Sequence, residues 1–147
     1  MIRPVFVLFL GVFPSCTSKE IKGEEQLVFD VYETQEWRLV KMTGSIPNSE
    51  TTGDAMEWQE TYIFRDDLTF SKTRVWGERT TTASGRFTVQ ENDVEIGMFL
   101  VFENNFELVG NCQLQNEEYL YFTEDKKTLL SGWWACDGPG LFYQRTN

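Results

Sequence analysis

Residues 61–76, TYIFRDDLTFSKTRVW, read as strand, tight turn and strand. Tyr62 and Phe64 alternate with Ile63 and Arg65. After Asp66-Asp67, Phe70, Lys72, Arg74 and Trp76 share one parity, and Thr69, Ser71, Thr73 and Val75 share the other. Period-two patterning on both sides of a turn signal predicts an antiparallel hairpin. The two aspartates supply the turn, because short Asx side chains bond local backbone.

The same grammar runs to the end of the chain. Upstream, residues 36–42 place Trp37 and Leu39 on one face and Arg38 and Val40 on the other, before a long polar loop over residues 43–57. Downstream, Gly77-Glu78 turns the chain into a strand at 79–90. Residues 91–93 break it, and Val94, Ile96, Met98, Leu100 and Phe102 then share one face. Asn104-Asn105 turns again, residues 106–109 and 112–115 flank Gly110-Asn111, and strands are expected at 118–123, 128–136 and 141–145. About eight short strands with turn signals between them predict an all-β fold, an up-and-down antiparallel β-barrel or a closely related sandwich.

Composition narrows what such a barrel can do. The 147 residues carry a net charge of −10 and no histidine. An acidic surface repels phosphate backbones, so no nucleic acid is expected as a partner. The absence of histidine removes His-based triads, His-ligated zinc and the commonest general base. Asp66-Asp67 reads as turn chemistry, since paired catalytic carboxylates come from separate strands facing a cleft. No phosphate-binding loop and no serine elbow is present. The expectation is a protein that is not an enzyme, with no cofactor and no metal.

The N-terminus carries an address. Arg3 precedes an apolar run at residues 5–13, too short to span a bilayer and suited to a signal h-region. The run ends Phe13-Pro14-Ser15-Cys16, and a small residue before a cysteine at that place resembles a bacterial lipobox. On that reading residues 1–15 are removed and Cys16 is lipidated, which makes the membrane a partner through the lipid. The alternative is an ordinary signal peptide with a chance cysteine. Residues 16–26 hold the lipidated Cys and a polar tether. Lys19-Glu20 loosely resembles the signal that sends some Bacteroidota lipoproteins to the cell surface, and a solvated linker is the equal alternative. The barrel domain is assigned to residues 27–147. In an exported protein Cys112 and Cys136 are expected to pair; two buried free thiols are the alternative.

Several motifs, in order, resemble the lipocalin-like domain of bacterial lipoproteins. Trp37 opens the first strand; residues 64–70, FRDDLTF, resemble an F-x-x-D-G-T-F hairpin; Gly85-Arg86-Phe87-Thr88-Val89 is similar to the strand that follows it. Asp137-Gly138-Pro139 with Tyr143 and Arg145 resembles the closing strand. Leu68 stands at the turn glycine, which implies another backbone form there, and Gln35 replaces the glycine of the G-x-W signature. The resemblance implies a lipocalin-like (calycin-type) barrel, with Trp37 buried at one end and packed against Arg145. It also implies a location in the cell envelope, lipid-anchored to the outer membrane.

A barrel of eight strands can be filled by side chains or hold one ligand. Tyr62, Phe64, Phe70, Phe87, Tyr121 and Trp133 are candidate lining residues for a small apolar or amphipathic ligand. The many large aromatics equally suit a filled interior. Trp133-Trp134, read as strand neighbours, would point one inward and one outward, as an aromatic platform or as core and cover. The second functional reading is a protein-interaction module, an envelope subunit or inhibitor, that uses the 43–57 loop and the barrel rim. The sequence carries no signal for an oligomeric state.

Overall fold

The computed structural model describes residues 31–91, 95–112 and 116–146. The expected signal segment, Cys16 and the tether lie outside the described residues. Nine strands follow in chain order: β1 (Gln35–Thr43), β2 (Thr51–Thr52), β3 (Gln59–Phe64), β4 (Thr69–Trp76), β5 (Arg79–Glu91), β6 (Ile96–Phe102), β7 (Glu117–Phe122), β8 (Thr128–Ser131) and β9 (Gly140–Arg145). All neighbours pair antiparallel in the order β2-β1-β3-β4-β5-β6-β7-β8-β9, and β1 also pairs with β9. β1 and β3 to β9 therefore form a closed up-and-down barrel of eight strands, with β2 as a short addition on β1. The architecture is all-β and lipocalin-like.

Alternation places the core as expected. Along β4, Phe70, Lys72 and Arg74 point inward; along β6, Met98, Leu100 and Phe102 do so. β1 departs from strict alternation. Its register with β9 slips between Leu39 and Lys41, and this bulge lets Trp37, Leu39 and then Met42 all face the interior. Closure joins Trp37 to Arg145 as cross-strand partners. Trp37 is buried, meets Phe122 edge-on and donates its indole N–H to Gln35 Oε1 at 3.1 Å. The Arg145 guanidinium reaches Glu33 at 3.1 Å. Gln35, at the position of the signature glycine, thus serves as the acceptor for the tryptophan beneath it.

Two expectations about local backbone are corrected. The turn after β3 keeps the glycine-type form although Leu68 occupies it. Leu68 has φ 62°, its N–H bonds Arg65 C=O at 3.0 Å, and Arg65 N–H bonds Thr69 C=O at 2.9 Å. This is a turn closed by a left-handed residue, which glycine fits best. Asp67 caps it by accepting from the Thr69 N–H and hydroxyl, at 3.0 and 2.6 Å, and those bonds hold its carboxyl below the usual range. The second correction concerns residues 128–136. Only Thr128–Ser131 is strand; Gly132–Cys136 is a 3-10 helix whose first turn is capped by the Ser131 hydroxyl. Trp133 and Trp134 therefore do not obey strand alternation.

The two ends of the barrel differ. One end carries the turns at 65–68 and 123–127. The other, the mouth, carries residues 44–58, the Gly77-Glu78 turn, residues 103–112 and the 3-10 helix Gly132–Cys136. At the mouth turn, Gly77 takes φ 58° in a two-residue loop between Trp76 and Arg79. That is the position where a tight hairpin needs glycine. Cys112 and Cys136 form a disulfide with Cα atoms 5.5 Å apart, tying the β6–β7 connection to the 3-10 helix across the mouth.

Candidate functional site

Four ionisable residues meet inside the mouth half of the barrel. β3 contributes Glu60, β4 contributes Lys72 and Arg74, and β7 contributes Glu118. Antiparallel register sets Glu60 opposite Arg74 and Tyr62 opposite Lys72. Lys72 Nζ lies 3.1 Å from Glu60 Oε1, 2.9 Å from Glu118 Oε2 and 2.8 Å from the Leu108 carbonyl. Arg74 Nε donates to Glu60 Oε2 at 2.6 Å. Tyr62 donates its hydroxyl to Glu118 Oε1 at 2.8 Å, and Tyr143 donates to Glu60 Oε1. The charges balance, two carboxylates against two cations, as burial requires.

The two carboxylates are not equivalent. Burial alone would raise Glu60, but the Lys72 and Arg74 charges and hydrogen bonds from Tyr143 and Arg74 hold its carboxyl below the usual range. Burial raises Glu118, and the Glu60 charge adds to that, against the opposing pull of Lys72. Burial, with the neighbouring carboxylates, also pushes the Tyr62 and Tyr143 phenols well above their ordinary range, so both stay donors.

The network fastens the mouth. Residues 106–108 form a 3-10 helix that drops Leu108 into the core, and its carbonyl accepts from Lys72. Gly110 N–H donates to Glu118 Oε2 at 3.2 Å. Met56, near the end of the 43–57 loop, and Trp58, just after it, are also buried. The outer part of that loop stays exposed, with Ile46 at 72%.

The predicted lining residues divide. Tyr62, Phe64, Phe70 and Phe87 come together inside the barrel. Phe64 stacks on Tyr62 at 5.4 Å and meets Phe87 edge-on at 5.0 Å; Phe70 meets Phe102 edge-on at 4.9 Å. Their rings are buried against one another as core. Tyr121 does not join them. It lies on the outer face of β7, where its hydroxyl accepts from Trp134 Nε1 at 2.7 Å. Trp133 packs against the core from the 3-10 helix, with Gly138 backbone so close that an added Cβ would lie 2.4 Å from the indole. Tyr121 instead belongs to an outer aromatic band. Phe99 lies 4.9 Å from Tyr119, Tyr119 stacks on Tyr121 at 6.2 Å, and Tyr121, Leu130 and Phe142 are successive cross-strand partners.

Sequence reasoning placed Lys72 and Arg74 on the face of Phe70 without drawing the consequence. Two cations at core parity demand buried carboxylates, and Glu60 and Glu118 sit at core parity on their own strands. That signal was available. Among the described residues no group of three or more His, Cys, Asp or Glu side chains could hold a metal ion.

The class of protein defined here is a closed antiparallel barrel with an aromatic floor and an ionic network in its mouth half. In comparisons with known proteins, no family model, no curated protein and no solved structure matches the chain.

Proposed function

We propose that this chain is a lipid-anchored protein of the bacterial cell envelope whose barrel is a non-catalytic interaction module. It engages a protein partner with its mouth-end rim and outer aromatic band. The observation that carries the reading is the occupied interior. Packed rings take the floor and the Glu60–Lys72–Arg74–Glu118 network takes the mouth half, whereas ligand sites are concave and largely preformed. The surface left for recognition includes Ile46, Trp76 and Phe106 at the mouth and Trp134 beside Tyr121.

Three experiments test it. Photo-crosslinking groups placed at Ile46 and at Leu68, on opposite ends, are activated in native cells. The reading expects one discrete partner from Ile46 and none from Leu68; equal labelling from both ends overturns it. Small molecules extracted from protein purified from its native cells are then measured by mass spectrometry. An apolar molecule at one equivalent would restore the carrier reading. For the anchor, Cys16→Ser should abolish the lipid mass and the membrane association, since two or more acyl chains are what make anchoring stable.

A further inference from the structure

The 3-10 helix Gly132–Cys136 presents a fixed indole to solvent. Trp134 is 52% exposed, and its Nε1 donates to the Tyr121 hydroxyl at 2.7 Å, so the ring is held by one edge while the rest stays open. The helix beneath it is tied down at three points. The Ser131 hydroxyl accepts from the Trp133 N–H at 3.3 Å, Cys136 is bridged to Cys112, and Gly138 packs on the Trp133 indole. Asp137 closes the helix with a left-handed backbone, φ 65°. Trp134 and Asp137 are three residues apart, the spacing at which 3-10 side chains eclipse, and both border the same pocket.

That pocket measures about 470 Å³, within the range of roughly 300–1,000 Å³ common to small-molecule sites. Its floor is apolar, formed by Leu130 and Phe142, cross-strand partners on β8 and β9. Its rim is polar, formed by Thr43, Ser45 and Asp137. No hydrogen bond among the described residues uses the Thr43 or Ser45 hydroxyl or the Asp137 carboxylate, so all three are open to a ligand. Of the lining side chains Asp137 alone is charged, and the nearby Lys41, over the Phe142 ring at 4.1 Å, is matched by Glu50 at 3.4 Å. An anion finds no partner there, and a purely apolar ligand would leave the rim unused. We propose that the pocket binds a neutral sugar residue, a pyranose laid with its C–H face on the Trp134 indole and two neighbouring hydroxyls on the Asp137 carboxylate. A pyranose is apolar on a face and polar at its edge, and the pocket repeats that division. Its C–H groups, slightly positive, meet the negative face of the indole π system. An ionised carboxylate accepts two O–H bonds at once, and such bonds are roughly twice as strong as neutral ones. Thr43 and Ser45 serve further hydroxyls. The site uses none of Ile46, Trp76 and Phe106, needs neither the lipid anchor nor a protein partner, and stands apart from the interaction reading.

The test is isothermal titration calorimetry of the full chain, with the Trp134 indole N–H followed in ¹H–¹⁵N spectra to place the ligand. The probes are the methyl β-glycosides of glucose, galactose and N-acetylglucosamine and methyl α-mannoside, against glycerol, choline chloride and sodium benzoate. The expected result is saturable, millimolar binding of at least one glycoside with a shift of the Trp134 indole N–H, and no saturation with the three controls. Trp134→Ala and Asp137→Asn should each weaken that glycoside by at least about tenfold. Asparagine tolerates the left-handed backbone, so the second variant keeps the turn and removes only the charge. Trp76→Ala removes an exposed tryptophan outside the pocket and should leave the affinity unchanged. The site is overturned if no glycoside saturates, if glycerol, benzoate or choline binds as well as the glycosides, or if the affinity survives either pocket substitution. An equal loss in Trp76→Ala overturns it too.

Discussion

Lys72 on β4 and Glu118 on β7 meet across the barrel interior, Nζ to Oε2 at 2.9 Å, although their strands are separated by β5 and β6. Both side chains are fully shielded from solvent. A buried pair of this kind adds little relative to a well-packed apolar pair, but breaking it leaves a charge that nothing solvates. Lys72→Met leaves Glu118 without a cation and should cost about 3–5 kcal/mol in urea unfolding. Lys72→Met with Glu118→Leu should cost clearly less than Lys72→Met alone. Equal loss in the two variants would mean that packing, and not the uncompensated charge, sets the cost.

The pH dependence should separate the two carboxylates. Glu60 is lowered in the folded state from its ordinary 4.5, so its charge contributes stability above that pH, and the contribution is lost as pH falls below it. Glu118 is raised from 4.5, so its contribution is complete below that pH and is lost as pH rises through the folded value. Glu60→Gln should therefore cost more at about pH 7 than at about pH 4, and Glu118→Gln should cost less at about pH 7 than at about pH 4. Urea midpoints of the variants and the parent at both pH values check the opposite slopes.

Leu68 holds φ 62° in an exposed turn. A side chain there costs on the order of 1 kcal/mol, and glycine does not bear that cost. Leu68→Gly should raise stability by about 0.5–1 kcal/mol, partly offset by the greater freedom of the unfolded glycine chain. A thermal midpoint below the parent's would count against the strained turn.

The Cys112–Cys136 bridge spans a sequence separation of 24. Chain-entropy arguments assign such a loop roughly 3–4 kcal/mol. Cys112→Ser with Cys136→Ser should lose about that much, and reduction of the parent should do the same. Alkylation of the unfolded, unreduced protein should label neither cysteine.

The prominent features of this fold were legible because they are local. Alternation placed Tyr62, Phe64, Phe70, Met98, Leu100 and Phe102 inward, and each is buried. Asp66-Asp67 and Gly77-Glu78 marked turns that the structure keeps. Residues 132–136 were misread because Gly-Trp-Trp-Ala-Cys has no periodicity with which to tell a strand from a 3-10 helix. Leu68 was misread because closure of the hairpin imposed a left-handed backbone against the residue's own preference. Tyr121 was misassigned by residue type alone; its parity with Tyr119, opposite to Leu120, already placed it outside.

By itself the sequence determined an all-β chain of short antiparallel strands, its turns, and which residues share a face. Each of these is a property of a few consecutive residues. Tertiary structure alone decided the partnerships. The β1–β9 seam and the bulge that turns Met42 inward exist only once the sheet curls shut. The bond from Lys72 to Glu118 joins residues 46 positions apart, and no local pattern specifies which buried carboxylate a buried cation will meet. Closure of the barrel makes that choice, because it brings non-neighbouring strands face to face where water cannot compete.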